Sequence, residues 1–200
     1  AIDEAHCVSQ WGYDFRPEYL KIAKSIALID CPKIAVTATA RTEVKKDIIE
    51  NLSLDSPSVF FTSVYRENLE YKTIISDDKE NALLRSLQYL EGSSIIYVRS
   101  RKACQELSLV CTQAGVTNVV YHAGLTREQR DKSQASWMGN KVSLIIATNA
   151  FGMGIDKPNV RNVVHYGAPD SLESYYQEAG RAGRDGKASV VTLLSSPKDR

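Results

Sequence analysis

The sequence predicts an α/β protein built from parallel sheets with helices on both faces. Two observations carry this. From residue 68 onward, short apolar runs alternate with amphipathic stretches at helical spacing, the pattern of strand–helix–strand units that wind into a parallel sheet. The distinctive polar residues stand where apolar runs stop, at 99–102, 122–124 and 148–150, and ligands of such sheets gather at the carboxyl ends of strands. A third observation, the polar break Arg66-Glu67-Asn68, places a boundary there, with lobes over 1–65 and 66–200.

The first lobe opens on Ala1-Ile2, a strand stub, followed by Asp3, Glu4 and His6. At a strand end, Asp3 can hold a hydrated magnesium ion and Glu4 can deprotonate an attacking water. In isolation the pair would be an exposed acidic turn. So little strand precedes the pair that we expect a piece of a longer protein. Residues 7–19 interleave Trp11, Tyr13, Phe15 and Tyr19 with Gln10, Asp14 and Arg16, and Gly12 and Pro17 punctuate them as a loop. Such a loop either stacks on nucleic-acid bases or folds over its own core; composition weighs these evenly. A helix is expected over 17–29 with Leu20, Ala23 and Ala27 inward, then a strand over 33–37. Thr37 and Thr39 close that strand, as a hydroxyl relay or simply as small residues. A helix over 42–52 buries Val44, Ile48 and Leu52, and 59–63 reads as a strand.

The second lobe reads more regularly. A strand within 68–75 precedes a helix over 78–91 with Leu83, Leu87 and Leu90 inward. After a strand at 94–98, Ser100 can cap a helix to about 114 that turns Cys104, Leu107, Cys111 and Ala114 to the core. A strand at 118–122 precedes Thr126-x-x-Gln129, the pattern of a capping box, and a helix to about 138. Strands follow at 143–148 and 162–166. Asp170-x-x-Glu173 opens a helix with Leu172, Tyr175, Tyr176 and Ala179 inward, and 189–194 is the last strand.

Lys+Arg 25 against Asp+Glu 24 leaves no global basic signal, so a nucleic-acid partner must be held by a local patch. The cysteines form no C-x-x-C pair, so no zinc site is expected and the thiols read as reduced. No run is long and apolar enough to span a bilayer and no signal peptide is present. We expect an intracellular protein with no membrane partner.

Arg99-Ser100-Arg101-Lys102 sets three cations at a helix start. Cations there oppose the helix dipole, so either a bound phosphate explains them or they form a solvated turn. His122 is a phosphate or base donor or a structural histidine. Thr148 ahead of Phe151-Gly152-Met153-Gly154 presents a hydroxyl and free N–H groups, or closes a tight turn. Arg181 and Arg184, three apart, would share one side of a helical turn. They act as fingers on phosphate or as surface ion pairs.

In order, these segments resemble the motifs of the RecQ family of superfamily 2 DNA helicases. Asp3-Glu4-Ala5-His6 is similar to motif II and Thr37-Ala38-Thr39-Ala40 to motif III. Residues 9–17 resemble the aromatic-rich loop that sets this family apart from other DEAH-box enzymes. Residues 95–102 resemble motif IV, 121–125 the segment after it, 147–156 motif V and 177–186 motif VI. The resemblance implies two RecA-like lobes, the first partial and the second complete, with ATP-Mg²⁺ between them. It implies 3′ to 5′ movement along single-stranded DNA, duplex unwinding, and a place in repair and recombination. Asp3 would bind magnesium through water and Glu4 would be the catalytic base, with Arg184 and Arg181 reaching the triphosphate. Asp156, Gly154 and Gln177 would contact the nucleotide, although many relatives carry Asn at the position of Asp156. His6, Thr37 and Thr39 would couple DNA binding to hydrolysis. Trp11, Phe15, Arg16, Arg99, Ser100, His122 and Thr148 would touch DNA. The phosphate-binding loop is absent from these 200 residues, so alone they are expected to lack ATPase activity. The family places such enzymes in the cytoplasm or nucleoid of bacteria or the nucleus of eukaryotes. Two other readings are a non-catalytic nucleic-acid-binding or regulatory module and an RNA helicase of the DEAH group; the aromatic-rich loop argues against the latter.

Overall fold

A computed structural model describes the chain except residues 13, 27, 30, 39, 64, 88–91, 153 and 200, and the side chains of 23 and 198. Thr39, Met153, Tyr13, Ala23, Ala27 and Leu90, each named above, therefore lie outside what is described. The chain forms two compact units, Ala1–Val64 and Tyr65–Arg200.

In the first unit, Ile2 pairs with Ala35 in a single parallel bridge. It donates to Ile34 O at 2.7 Å and accepts from Val36 N at 2.9 Å. A 3-10 turn Ala5–Val8 follows directly. Helices α1 (Tyr19–Ile26) and α2 (Thr42–Asn51) pack on it. Their core faces carry Tyr19, Ile22, Ile26, Val44 and Ile48, with Leu52 at the α2 cap. The expected inward set of α1 is corrected: Leu20 is exposed, and the 19/22/26 spacing faces the core instead. The strand expected at 33–37 amounts to the one bridge, and that at 59–63 does not form. Val59, Phe60 and Phe61 are exposed. A strand needs a partner edge for its N–H and C=O groups; Ile2 offers 33–37 a single bridge, and 59–63 joins no strand among the described residues.

The second unit is a six-stranded, fully parallel sheet in the order β1-β6-β5-β2-β4-β3. The strands are β1 (Leu69–Ile75), β2 (Ser93–Tyr97), β3 (Asn118–Tyr121), β4 (Leu144–Ala147), β5 (Val160–Tyr166) and β6 (Ser189–Ser195). Side chains alternate between faces at period two. Ile95 and Tyr97 of β2 and Ile145 and Ala147 of β4 pack with Trp137 and Ala179, from α5 (Arg127–Met138) and α6 (Leu172–Ala179). Ile96, Leu144 and Ile146 pack oppositely with Leu83 and Leu87 of α3 (Lys79–Leu87) and Cys104, Leu107 and Cys111 of α4 (Arg101–Gln113). β2 and β4 are thus covered on both faces and buried along their whole length, as a buried parallel sheet requires, whereas the edge strand β1, with Glu70, Lys72 and Thr73, is mostly exposed.

Two caps form as the sequence indicates. Ser100 accepts from Ala103 N, and Thr126 with Gln129 completes a capping box. Four details differ. Ser171, not Asp170, caps α6 by accepting from Ser174 N. Leu172 is exposed on that first turn, and Ala114 is exposed as the cap residue after α4. Arg181 and Arg184 lie in turns beyond the end of α6, not on a helical turn, because Gly180 ends the helix and Gly183 takes a positive φ of 56°.

Candidate functional site

In the first unit the acidic pair sits where the Ile2 bridge ends. Asp3 Oδ1 accepts from Glu4 N at 2.8 Å. Glu4 adopts a left-handed backbone (φ 50°) that starts the 3-10 turn, an uncommon conformation for a non-glycine residue and one that clusters at functional sites. Glu4 Oε2 is buried without a hydrogen-bond partner among the described residues. His6 is buried, and its Nδ1 lies 2.9 Å from Thr37 Oγ1 and 3.4 Å from Glu4 Oε2. Burial lowers the His6 pKa against the opposing pull of the Glu4 carboxylate. The structure thus brings together Glu4, His6 and Thr37.

The aromatic segment folds back on the same turn. Gly12 N donates to Ser9 O and Arg16 N to Cys7 O, both at 3.0 Å. A Cβ on Gly12 would overlap His6 O. Trp11 is 75% exposed, Phe15 is half-buried, and Arg16 pairs with Asp14. The loop therefore offers a free indole at one end and rests on the His6 carbonyl at the other.

In the second unit three of the singled-out groups form a row. Arg99 follows β2, Thr148 follows β4 and His122 follows β3, and these strands are immediate neighbours. Arg99 is exposed and pairs with Asp170 at 2.7 Å. Thr148 donates its N–H to Tyr121 O at 3.2 Å. Its Oγ1 accepts from Ala150 N at 3.4 Å. His122 is 4% exposed, with neither ring nitrogen hydrogen-bonded among the described residues. Ser100 is occupied as the α4 cap, its Oγ 3.0 Å from Ala103 N.

The segment after Thr148 carries both motif arginines. Arg181 Nη1 donates to Gly152 O at 2.6 Å. Arg184 Nη1 donates to Ile155 O at 2.9 Å and to Asp156 Oδ1 at 3.0 Å. Gly154 has φ 72° in this turn, and Gln177 stands half-buried on α6. Lys157, absent from the sequence reading, is buried beneath the turn. Its Nζ donates to Trp137 O, Met138 O and Asn140 Oδ1 at 2.9, 3.0 and 2.7 Å. A second omission is a buried pair: His165 Nε2 lies 2.9 Å from Glu178 Oε2, beside Tyr97 and Tyr175. The signal for it was a histidine directly after the apolar pair Val163-Val164 in a strand.

A doubly covered parallel sheet with this strand-end row and two arginines seated on the adjoining turn defines a RecA-like motor lobe. The chain belongs to the helicase conserved C-terminal domain family, which matches residues 78–186. Its likeness to RecQ-family helicases runs through the whole chain. It is 46% identical to the ATP-dependent helicase wrn-1 of Caenorhabditis elegans, over 100% of this chain and 20% of that protein. It is 43% identical to the ATP-dependent DNA helicase RecQ of Pasteurella multocida, over 100% of this chain and 32% of that protein. The chain therefore spans a fifth to a third of these relatives. Among solved structures, yeast Dbp5 bound to RNA and ADP BeF3 matches with TM-score 0.80 at 22% identity, over 98% of this chain and 53% of that one, and shares the fold. Among the described residues no helix is long and apolar enough to cross a membrane.

Proposed function

We propose that this chain is the second motor lobe, with the adjoining part of the first, of a full-length intracellular RecQ-type helicase. That enzyme uses ATP hydrolysis to move along single-stranded DNA and separate duplexes, in repair or recombination. One observation carries the reading. The segment 148–156 begins in the row of strand-end groups and continues into the carbonyl oxygens that seat Arg181 and Arg184. A group that touches nucleic acid and groups that touch nucleotide thereby share one short stretch of backbone.

The roles follow from chemistry. Water attacks the γ-phosphorus and the bond to the bridging oxygen breaks, so a proton must leave the water and negative charge must be stabilised. Glu4 takes the proton. Its Oε2 is buried, lies 3.4 Å from His6 Nδ1 and accepts no hydrogen bond among the described residues, so it is open to receive the proton. Arg184 and Arg181 leave their carbonyl partners for the phosphoryl oxygens, which a guanidinium binds more strongly than a neutral carbonyl. Two adjacent carboxylates, one with a buried oxygen that accepts no hydrogen bond among the described residues, are hard oxygen ligands that suit magnesium. Asp3 would hold the ion through water, and the ion would neutralise charge on the phosphates when bound. Asp156 releases Arg184 and bonds a nucleotide hydroxyl, with Gly154 and Gln177 lining that contact. Thr148, Arg99, Ser100 and His122 receive the DNA backbone, and Trp11, Phe15 and Arg16 receive the strand on the other unit. His6 and Thr37 pass a change at the aromatic loop to Glu4.

The test is DNA-stimulated ATP hydrolysis by the full-length protein beside Glu4→Gln and Arg184→Ala. Each variant is expected to lose roughly 10³-fold or more in turnover while still binding DNA. A wild type that binds DNA and hydrolyses nothing would replace this reading with a binding module.

A further inference from the structure

The peptide between the two motif arginines is held by side chains that no step above uses. Arg66 Nη2 donates to Gly183 O at 2.6 Å, and Asn68 Nδ2 donates to the same oxygen at 2.8 Å. Asn68 Nδ2 also donates to Lys187 O at 2.9 Å. Arg66 Nε donates to Asn68 Oδ1 at 3.3 Å. A guanidinium only donates, so this last contact fixes which end of the Asn68 amide faces the turn. Asn68 O in turn accepts from Ser189 N at 2.9 Å, and Gly183 N donates to Val160 O at 2.8 Å. A Cβ on Gly183 would overlap Asn68 Nδ2, so the fit admits no side chain.

This arrangement exceeds what backbone satisfaction requires. One donor suffices for a carbonyl, and Gly183 O already accepts from Gly186 N at 3.0 Å, yet it takes two side-chain donors as well, one of them cationic. No ion pair to a carboxylate is formed by half-buried Arg66 among the described residues, whereas Arg16, Arg99, Arg161 and Arg184 each take one. The Arg66 guanidinium is directed to two neutral oxygens, Asn68 Oδ1 and Gly183 O, the second of them located between Arg181 and Arg184. The two holders stand at 66 and 68, where the second unit begins and β1 starts.

We propose that Arg66 and Asn68 are positioning residues for Arg181 and Arg184, latching the Gly183 peptide to the root of β1 and so aiming both guanidinium groups at the triphosphate. The proposal rests on the helicase reading above. Rotation of the unlatched Gly183 peptide would swing Arg184, one residue on, away from the Ile155 and Asp156 oxygens that now seat it. The latch also gives the stretch entering the second unit direct purchase on the arginine turn. A pull on residues 65–68 is delivered to the peptide between the arginines.

The experiment uses the full-length protein with Arg66→Ala, Asn68→Ala and Arg66→Lys, each alone and combined with Arg184→Ala. Loss of alignment by about 1 Å is worth about 10²-fold, so DNA-stimulated kcat should fall about 10- to 100-fold in the two alanine variants. KM for ATP and the Kd for single-stranded DNA should stay within about twofold, and Arg66→Lys should recover part of the loss. In the double variants there should be no loss beyond that of Arg184→Ala, since both changes act through one group. Hydrogen exchange of the peptide over 180–188 should quicken in both alanine variants while that over 93–97 is unchanged. Full turnover in both variants, losses that add to those of Arg184→Ala, or exchange that quickens everywhere would each overturn the proposal. If the wild type hydrolyses no ATP on DNA, the helicase reading fails, and the exchange of 180–188 alone decides whether the latch exists.

Discussion

Lys157→Met removes a buried cation while keeping most of its volume. Lys157 is 3% exposed, and its ammonium caps the end of α5 through Trp137 O and Met138 O, with Asn140 Oδ1 as third acceptor. Trp137 O keeps a donor in Asn140 N at 3.2 Å. Met138 O has no other donor among the described residues, so it becomes an orphaned carbonyl, worth about 1–3 kcal/mol. A cation at a partly buried helix C-terminus adds up to about 2 kcal/mol. The contact over the Trp137 ring, at 5.0 Å, adds about 0.5–1 kcal/mol. Against these stands the desolvation that lowers the Lys157 pKa, which the variant no longer bears. The net expectation is a loss of about 2–3 kcal/mol, or roughly 5–10 °C in Tm for a unit of this size. Trp137 is fully buried and Trp11 exposed, so tryptophan fluorescence in a Trp11→Phe background reports the second unit. Urea titration of the 200-residue chain gives the free energy directly. A loss below about 1 kcal/mol would refute the reasoning, because the three acceptors would then be satisfied by water.

Three further outcomes are expected. Gly152→Ala places a Cβ against the Arg181 guanidinium and should lower DNA-stimulated kcat of the full-length protein about 10- to 100-fold with little change in Tm; unchanged turnover would show that Arg181 need not sit there. Burial pushes the Cys7, Cys104 and Cys111 thiols up to about 11, leaving about 0.1% thiolate at pH 8. Iodoacetamide should therefore label exposed Cys31 alone in the native chain, and mass spectrometry showing two fast-labelling thiols would contradict the packing. The His6 pKa is lowered in the folded state, so the unfolded chain binds more protons just below pH 6.5 and stability falls as pH drops through that window. Exchange protection of residues 1–12, corrected for intrinsic rate, should fall between pH 7 and 5.5 and lose that dependence in His6→Asn.

Local signals were legible in the sequence and pairing partners were not. Ser100 and the Thr126/Gln129 box act within one turn of helix, so three or four residues suffice to specify them. Residues 59–63 have the composition of a strand, but a strand exists only through a neighbour that composition does not name. The strand ends that bear Arg99, His122 and Thr148 were readable from where apolar runs stop. Their alignment as one row depends on β4 lying between β2 and β3, a crossover order absent from local pattern. The seats of Arg181 and Arg184 on carbonyl oxygens 29 residues away are likewise tertiary. Arg66 and Asn68 looked like a polar break because polarity before a strand is ordinary; what distinguishes them is an oxygen more than a hundred residues along the chain.

The order of the sheet has a consequence for synthesis. β1, the first strand of the second unit, pairs only with β6, the last, residue for residue from Leu69 with Ser189 to Ile75 with Ser195. Lys79 and Asp199 tie the same ends at 2.8 Å across 120 positions. At about 5–20 residues per second, a ribosome needs roughly 6–24 s to deliver the partner of β1 after β1 itself. Through that interval Leu69 waits unpaired, and β5 offers a bare edge where β6 will dock. The nascent lobe is thus a template open to strand exchange until its final seven-residue strand emerges.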